Sequence, residues 1–215
     1  MVKIIETLDD IAEGLSALGV LDPTLGPIIE KTPNVPLRRQ QPTLGNLMRI
    51  VVSQQVSVAS ASAIWARMTE EFDPEDASAI VEATIEDLQA VGLSRPKIKT
   101  LQAIAKENVQ NGFNPAHLQG ETLAAIHSRL TSIHGVGPWT SEIFALFCLG
   151  HPDIFPVGDI ALQEAVRDIK GLDKRPKGEE LTAIATTWAP WRGVAARLMW
   201  AHYAVMKGRG DAGPV

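Results

Sequence analysis

SIHGVGPWTSEIFALF, residues 132–147, sets two glycines either side of Val136, follows them with Pro138, and then runs apolar at helical spacing. Just upstream, ETLAAIHSRLTSI is apolar at Leu123, Ile126, Leu130 and Ile133, one stripe of a helix. Pro138 falls where the first turn of a following helix begins, a position at which a missing N–H costs nothing. The stretch therefore predicts two helices joined by His134, Gly135, Val136 and Gly137. Glycine at both positions permits φ > 0 and close approach of another backbone, and the exposed N–H groups at the start of the second helix suit an anion. Such a joint can grip a phosphate diester without touching a base. A G-x-G between helices can equally mark a tight turn and nothing more.

The remainder of the chain repeats the helical pattern. Thr43 caps LGNLMRIVVSQQ, Ser57 opens VASASAIWARMTEEF and Thr84 opens IEDLQAVG. After LSRP a helix runs KIKTLQAIAKENVQNG, stopped by Gly112 and Asn114-Pro115. DIALQEAVRDI, GEELTAIATTWA and WRGVAARLMWAHYAVMK follow the opening stretch, and alternating β-branched runs bounded by hairpin turns are missing. About ten short helices with connections of ordinary length predict an all-α architecture. The tail GRGDAGPV reads as frayed.

A chain of 215 residues with 45% hydrophobic content can bury a substantial core, as one domain or as two lobes. MVKIIETLDD has no apolar leader core and no run is long enough to span a membrane, so the expected location is the cytoplasm, in bacterial style, with no membrane partner. The single cysteine, Cys148, lies in the apolar run FALFCLG and reads as a small buried residue; an internal disulfide, a cysteine-ligated zinc and an iron–sulfur cluster are excluded. The net charge of −5 argues against a nucleic-acid partner only if the charge is evenly spread. Residues 1–30 carry one lysine against six acids and residues 66–90 one arginine against eight, so the rest of the chain is net basic. The cations gather at Arg38 and Arg39, at Arg95, Lys97 and Lys99, and at Lys174, Arg175, Lys177, Arg192, Arg197, Lys207 and Arg209. This segregation permits a phosphate-facing side.

LTSIHGVGPWTSEIFALFCLGHPDIFPVGDIALQEAV resembles the helix-hairpin-helix DNA glycosylase superfamily: a G-V-G-type hairpin, a second helix, a loop with proline, and an aspartate opening the next helix. Spacing and flanking residues look closest to its 3-methyladenine DNA glycosylase II branch. LMRIVVSQQVSVASASAIW is similar to the family's glutamine-containing helix-turn, VGLSRPKIKTLQAIA to its second small hairpin and PWRGVAARLMWAHY to its C-terminal helix, so the resemblance covers residues 43–207. It implies a two-lobed helical core, with a central lobe at about 43–150 carrying the hairpin, a second lobe from the N-terminal helices plus about 151–207, and a flexible tail at 208–215. The best-known family member carries an N-terminal β-rich domain, which residues 1–42 are too few and too helical to supply.

By this resemblance Asp159 stands at the catalytic aspartate. Breaking a C1′–N bond builds oxocarbenium character on the deoxyribose, and a carboxylate can stabilise that charge or orient the attacking water. Aspartate is also an ordinary N-cap, here for IALQEAV, and both uses can hold at once. In the lyase-competent branch a lysine two residues after the second hairpin glycine forms a Schiff base; here that position is Trp139. An indole there suits stacking on a flipped, electron-poor base. Trp200 matches a second pocket aromatic, Ile143 replaces a position that is often tyrosine, and Trp188, Trp191 and Tyr203 read as core. Gln55 occupies the place of the residue that wedges into the gap left by a flipped nucleotide, with Gln54 a partner for the orphaned base. His134 reads as hairpin surface. The family's hairpin can hold an alkali ion on main-chain carbonyls, here those of Thr131, Ile133 and Val136.

The expectation is thus a monomeric, monofunctional glycosylase of base excision repair acting on alkylated purines such as 3-methyladenine in double-stranded DNA, without cofactor or catalytic metal. Its rivals are a glycosylase for uracil or another deaminated or oxidised base, and a non-catalytic helix-hairpin-helix DNA-binding module. A pure binder has no use for a carboxylate at Asp159 facing phosphates.

Overall fold

The computed structural model describes residues 4–208 and 213–214; most of the expected tail, residues 209–212 and 215, lies outside the described residues. In chain order the helices are α1 (Leu8–Leu21), α2 (Gly26–Lys31), α3 (Leu44–Ser53), α4 (Val58–Glu71), α5 (Ala77–Glu82), α6 (Ile85–Ala90), α7 (Arg95–Asn111), α8 (Leu123–Thr131), α9 (Pro138–Phe147), α10 (Ile160–Ile169), α11 (Gly178–Thr186) and α12 (Arg192–Met206). Two short 3-10 turns accompany them, and no strand occurs among the described residues, so the fold is all-α.

The chain divides into two compact units. A continuous one spans Gln40–Leu149, and a discontinuous one combines Met1–Arg39 with Gly150–Gly213.

In the continuous unit the hydroxyl caps read from the sequence are in place. Thr43 Oγ1 accepts from Asn46 N at 3.2 Å and Ser57 Oγ from Ser60 N at 3.1 Å, while Thr84 and Asp87 form a reciprocal capping box. α3 buries Leu47, Met48 and Val51, and it packs on α7 and α9. α7 contributes Ile98, Leu101 and Ile104 at helical spacing, and α9 contributes Phe144 and Phe147. α8 lies against α9, which closes the hairpin. One boundary differs from expectation: α3 ends at Ser53, so Gln54 and Gln55 form a turn instead of a last helical step. Gln54 is extended (φ −63°, ψ 134°), which ends the i→i+4 ladder, and Gln55 then takes φ 56°.

In the discontinuous unit α12 packs on α10 and α1, burying Leu18, Leu162, Val166 and Leu198. Trp188 is core, as read from the sequence, with Phe155 tilted against it at 5.3 Å between ring centroids. Its Nε1 donates to the buried carboxylate of Asp22 at 2.8 Å, and Lys170 Nζ donates to the same oxygen. Burial alone would raise the Asp22 carboxyl, but the bonds from Lys170, Thr24 and Trp188 outweigh it and hold the group at about 2, below the ordinary 3.8. Because the folded value is depressed, its stabilising effect is fully present above about pH 4 and is lost as pH falls through about 2, roughly 2 kcal/mol in all. Wild type should therefore exceed Asp22→Asn in denaturant midpoint at neutral pH, with the gap shrinking to a small fraction by about pH 2. Tryptophan fluorescence during guanidinium unfolding reads it, and an undiminished gap in acid would show that the charge of Asp22 is irrelevant.

Candidate active site

Asp159 follows Pro156-Val157-Gly158 and is the N-cap of α10. Its Oδ1 accepts from Ala161 N at 2.9 Å and Leu162 N at 3.1 Å. The packing of α12 on α10 brings a third donor, Trp200 Nε1, to the same oxygen at 3.3 Å. Both expected uses of an aspartate are thus compatible in one geometry: the helix start fixes the carboxylate, and the carboxylate is half-buried where its charge is less screened. Trp200 is only 1% exposed, so it meets Asp159 through its N–H and offers no open stacking face. Sequence reasoning missed Gln163. This buried side chain, one turn beyond Asp159, donates Nε2–H to Val157 O at 2.9 Å and pins the loop that carries the carboxylate. A glutamine on the apolar face LxxAV was the available signal.

The hairpin is built in the continuous unit. Val136 is buried and its N–H returns to Ile133 O at 3.0 Å. Gly135 lies at φ 83°, and a methyl group there would land on the Thr100 side chain of α7. Gly137 differs from the sequence-based expectation of φ > 0: it is extended, φ −93° and ψ 176°, and nothing lies within 4 Å of where its Cβ would stand. It is the N-cap of α9, and no side chain of the described residues caps that helix. The carbonyls of Thr131, Ile133 and Val136 fall at the end of α8 and in this loop, with that of Ile133 accepting the Val136 bond. His134 is exposed, as expected.

Trp139 is half-buried in the first turn of α9, and Ile143, one turn on, is fully buried. Gln54 donates one Nε2–H to Thr140 Oγ1 at 2.6 Å, which anchors its amide within the protein, whereas Gln55 is exposed at the tip of the turn. A cleft of about 590 Å³ beside the hairpin is lined by Gln54, Arg95, Lys97, Lys99, His134 and Gly135 among others. Arg95 and Lys99 are exposed there, at the N-terminal end of α7, so one of the basic clusters does flank the glycine loop. Arg197 corrects the charge reading: it is completely buried and donates to Leu37 O and Gly193 O, so it is no part of a phosphate-facing surface. No cluster of three or more His, Cys, Asp or Glu suited to a metal occurs among the described residues, and no helix among them is long and apolar enough to cross a membrane.

An all-helical core, a glycine hairpin and an indole-bound aspartate that caps a helix agree with one class of protein. Residues 48–190 match the family model described as HhH-GPD superfamily base excision DNA repair protein, and the chain belongs to that superfamily. DNA-3-methyladenine glycosylase 1 of Schizosaccharomyces pombe is 31% identical over 176 residues, covering 78% of this chain and 75% of that protein. The putative DNA-3-methyladenine glycosylase YfjP of Bacillus subtilis is 27% identical over 82% of this chain, which spans 64% of that relative. Among solved structures, the S. pombe 3-methyladenine DNA glycosylase (Mag1) in complex with abasic DNA superimposes with a TM-score of 0.81 at 26% identity, covering 91% of this chain and 97% of that one.

Proposed function

We propose that this protein is a monofunctional DNA glycosylase that hydrolyses the N-glycosidic bond of alkylated purines, of the 3-methyladenine type, flipped out of double-stranded DNA, and that it acts as a monomer. The observation that carries the reading is the Asp159 carboxylate, fixed by two backbone N–H groups and the Trp200 indole. An alkylated purine carries positive charge and leaves as a neutral base, taking the electron pair of the C1′–N bond. The sugar is left as an oxocarbenium ion, which the Asp159 charge stabilises until water adds at C1′ and loses a proton. Trp139 suits the cationic base by attraction to its π face. Gln55 fills the gap in the stack, and the hairpin and its basic flank take phosphates. The S. pombe and B. subtilis names support the choice of alkylated purine.

Base release from duplexes carrying a panel of lesions tests the proposal. Release of 3-methyladenine or 7-methylguanine ahead of uracil and 8-oxoguanine is expected. Preference for uracil or an oxidised base would reassign the substrate, and no release from any lesion would leave a DNA-binding module. Because Trp139 stands where a Schiff-base lysine would be, the product should be an intact abasic strand, and borohydride should trap no covalent complex. Efficient trapping would mean that another lysine attacks the sugar.

A further inference from the structure

The turn after α3 is the one place among the described residues where a non-glycine at positive φ stands exposed at a residue assigned to DNA: Gln55, φ 56°. A side chain in the left-handed region is strained, and it persists only where the surroundings over-determine it. Here the surroundings are specific. Lys97, from α7, donates Nζ–H to Val52 O at 2.7 Å, a carbonyl of the last turn of α3 that has no partner within its own helix. On the far side of the same turn, Gln54 Nε2 donates to Thr140 Oγ1 of α9. Thr140 is 1% exposed, set among closely packed side chains that restrict it. The Lys97 ammonium is partly desolvated, which lowers its affinity for a proton but also strengthens the bond to the carbonyl.

We propose that Lys97 and Thr140 are positioning residues, which hold the turn of extended Gln54 and left-handed Gln55 in the conformation that presents Gln55 to the gap in a duplex. The assignment rests on the reading of Gln55 as the inserted residue. A cationic side chain in the basic cleft would ordinarily be assigned to a phosphate. Lys97 points instead at a main-chain carbonyl, where a cation offsets the negative end of the α3 dipole, and it leaves Arg95 and Lys99 as the exposed charges at the end of α7.

The probe is a duplex with a tetrahydrofuran abasic analogue and 2-aminopurine opposite it, whose fluorescence rises when a side chain enters the stack; it needs no lesion and no chemistry. Wild type should give the rise, and Gln55→Ala should lose it. Lys97→Met and Thr140→Val should also lose most of it and lower single-turnover excision, about tenfold where the bond of a charged ammonium is lost and about threefold where the neutral amide–hydroxyl bond is lost. Affinity for undamaged duplex and its salt dependence should be unchanged. Lys97→Arg and Thr140→Ser, which keep a donor or hydroxyl in place, should restore the signal. If either loss variant melts early, the other carries the test, since the two bonds lie on different helices. A full signal from Lys97→Met overturns the proposal, as does a loss of undamaged-duplex affinity with a salt slope lower by about one, which marks a phosphate contact. A full signal from Gln55→Ala removes the wedge and the proposal with it. Absence of base release from every lesion would defeat the glycosylase reading while leaving the fluorescence result to stand by itself.

Discussion

Asp159→Asn should lower single-turnover base excision by about a thousandfold or more, the scale lost when a preorganised group aimed at transition-state charge is removed. The substitution separates the two jobs of this side chain cleanly. Asparagine is as good an N-cap as aspartate, so its carbonyl can keep the bonds from Ala161 N, Leu162 N and Trp200 Nε1 that Oδ1 accepts now. Melting temperature should stay near wild type, and duplex affinity should hold or rise as a negative charge leaves the neighbourhood of phosphates. Asp159→Ala, by contrast, should lose both activity and a cap worth about 1 kcal/mol. If folded Asp159→Asn excises at a rate near wild type, the carboxylate is only a helix cap and the charge that stabilises the sugar comes from elsewhere.

The cap, the hairpin and the aspartate were legible because each is a local signal. Thr43, Ser57 and Thr84 announce their helices within three residues, and Gly135 to Pro138 announce the joint within four. What could not be read are bonds between elements distant in sequence. Gln54 and Thr140 are 86 positions apart, Lys97 and Val52 45, and Trp188 and Asp22 166, so no periodicity encodes them. These bonds decide details that composition leaves open. Gln54, expected as a partner for an orphaned base, gives one N–H to Thr140, and Trp200, expected as a second pocket aromatic, is a buried donor to Asp159. Arg197 counted with the cations of the last part of the chain because its charge is visible in the sequence, whereas its burial depends on what packs over its helix. The family resemblance proposes the positions, and the packing limits what each can do there.

The two hairpin glycines should respond to the same substitution in opposite ways. At Gly135 the backbone is left-handed and an added methyl meets Thr100, so Gly135→Ala should cost about 1–3 kcal/mol of stability and lower the melting temperature before any effect on DNA is measured. At Gly137 neither cause exists: the backbone is extended, in a region open to every residue, and the space around the Cβ is empty. Nothing within the described fold therefore requires glycine there, and the melting temperature of Gly137→Ala should match wild type. What a methyl group at the N-cap of α9 would obstruct is an approaching phosphate, which must come close to main-chain N–H groups at the positive end of the helix. Gly137→Ala should accordingly weaken binding to damaged and undamaged duplex alike, by about tenfold if one close phosphate contact is lost, with lesion preference unchanged because phosphate contacts carry no base information. Binding of both proteins should fall with added salt despite the net charge of −5, since counterion release depends on the local basic surface. Fluorescence anisotropy with lesion-bearing and plain duplexes measures this at two salt concentrations. Equal affinity for the folded Gly137→Ala protein and wild type would make the hairpin a turn between helices and assign the phosphates to another surface.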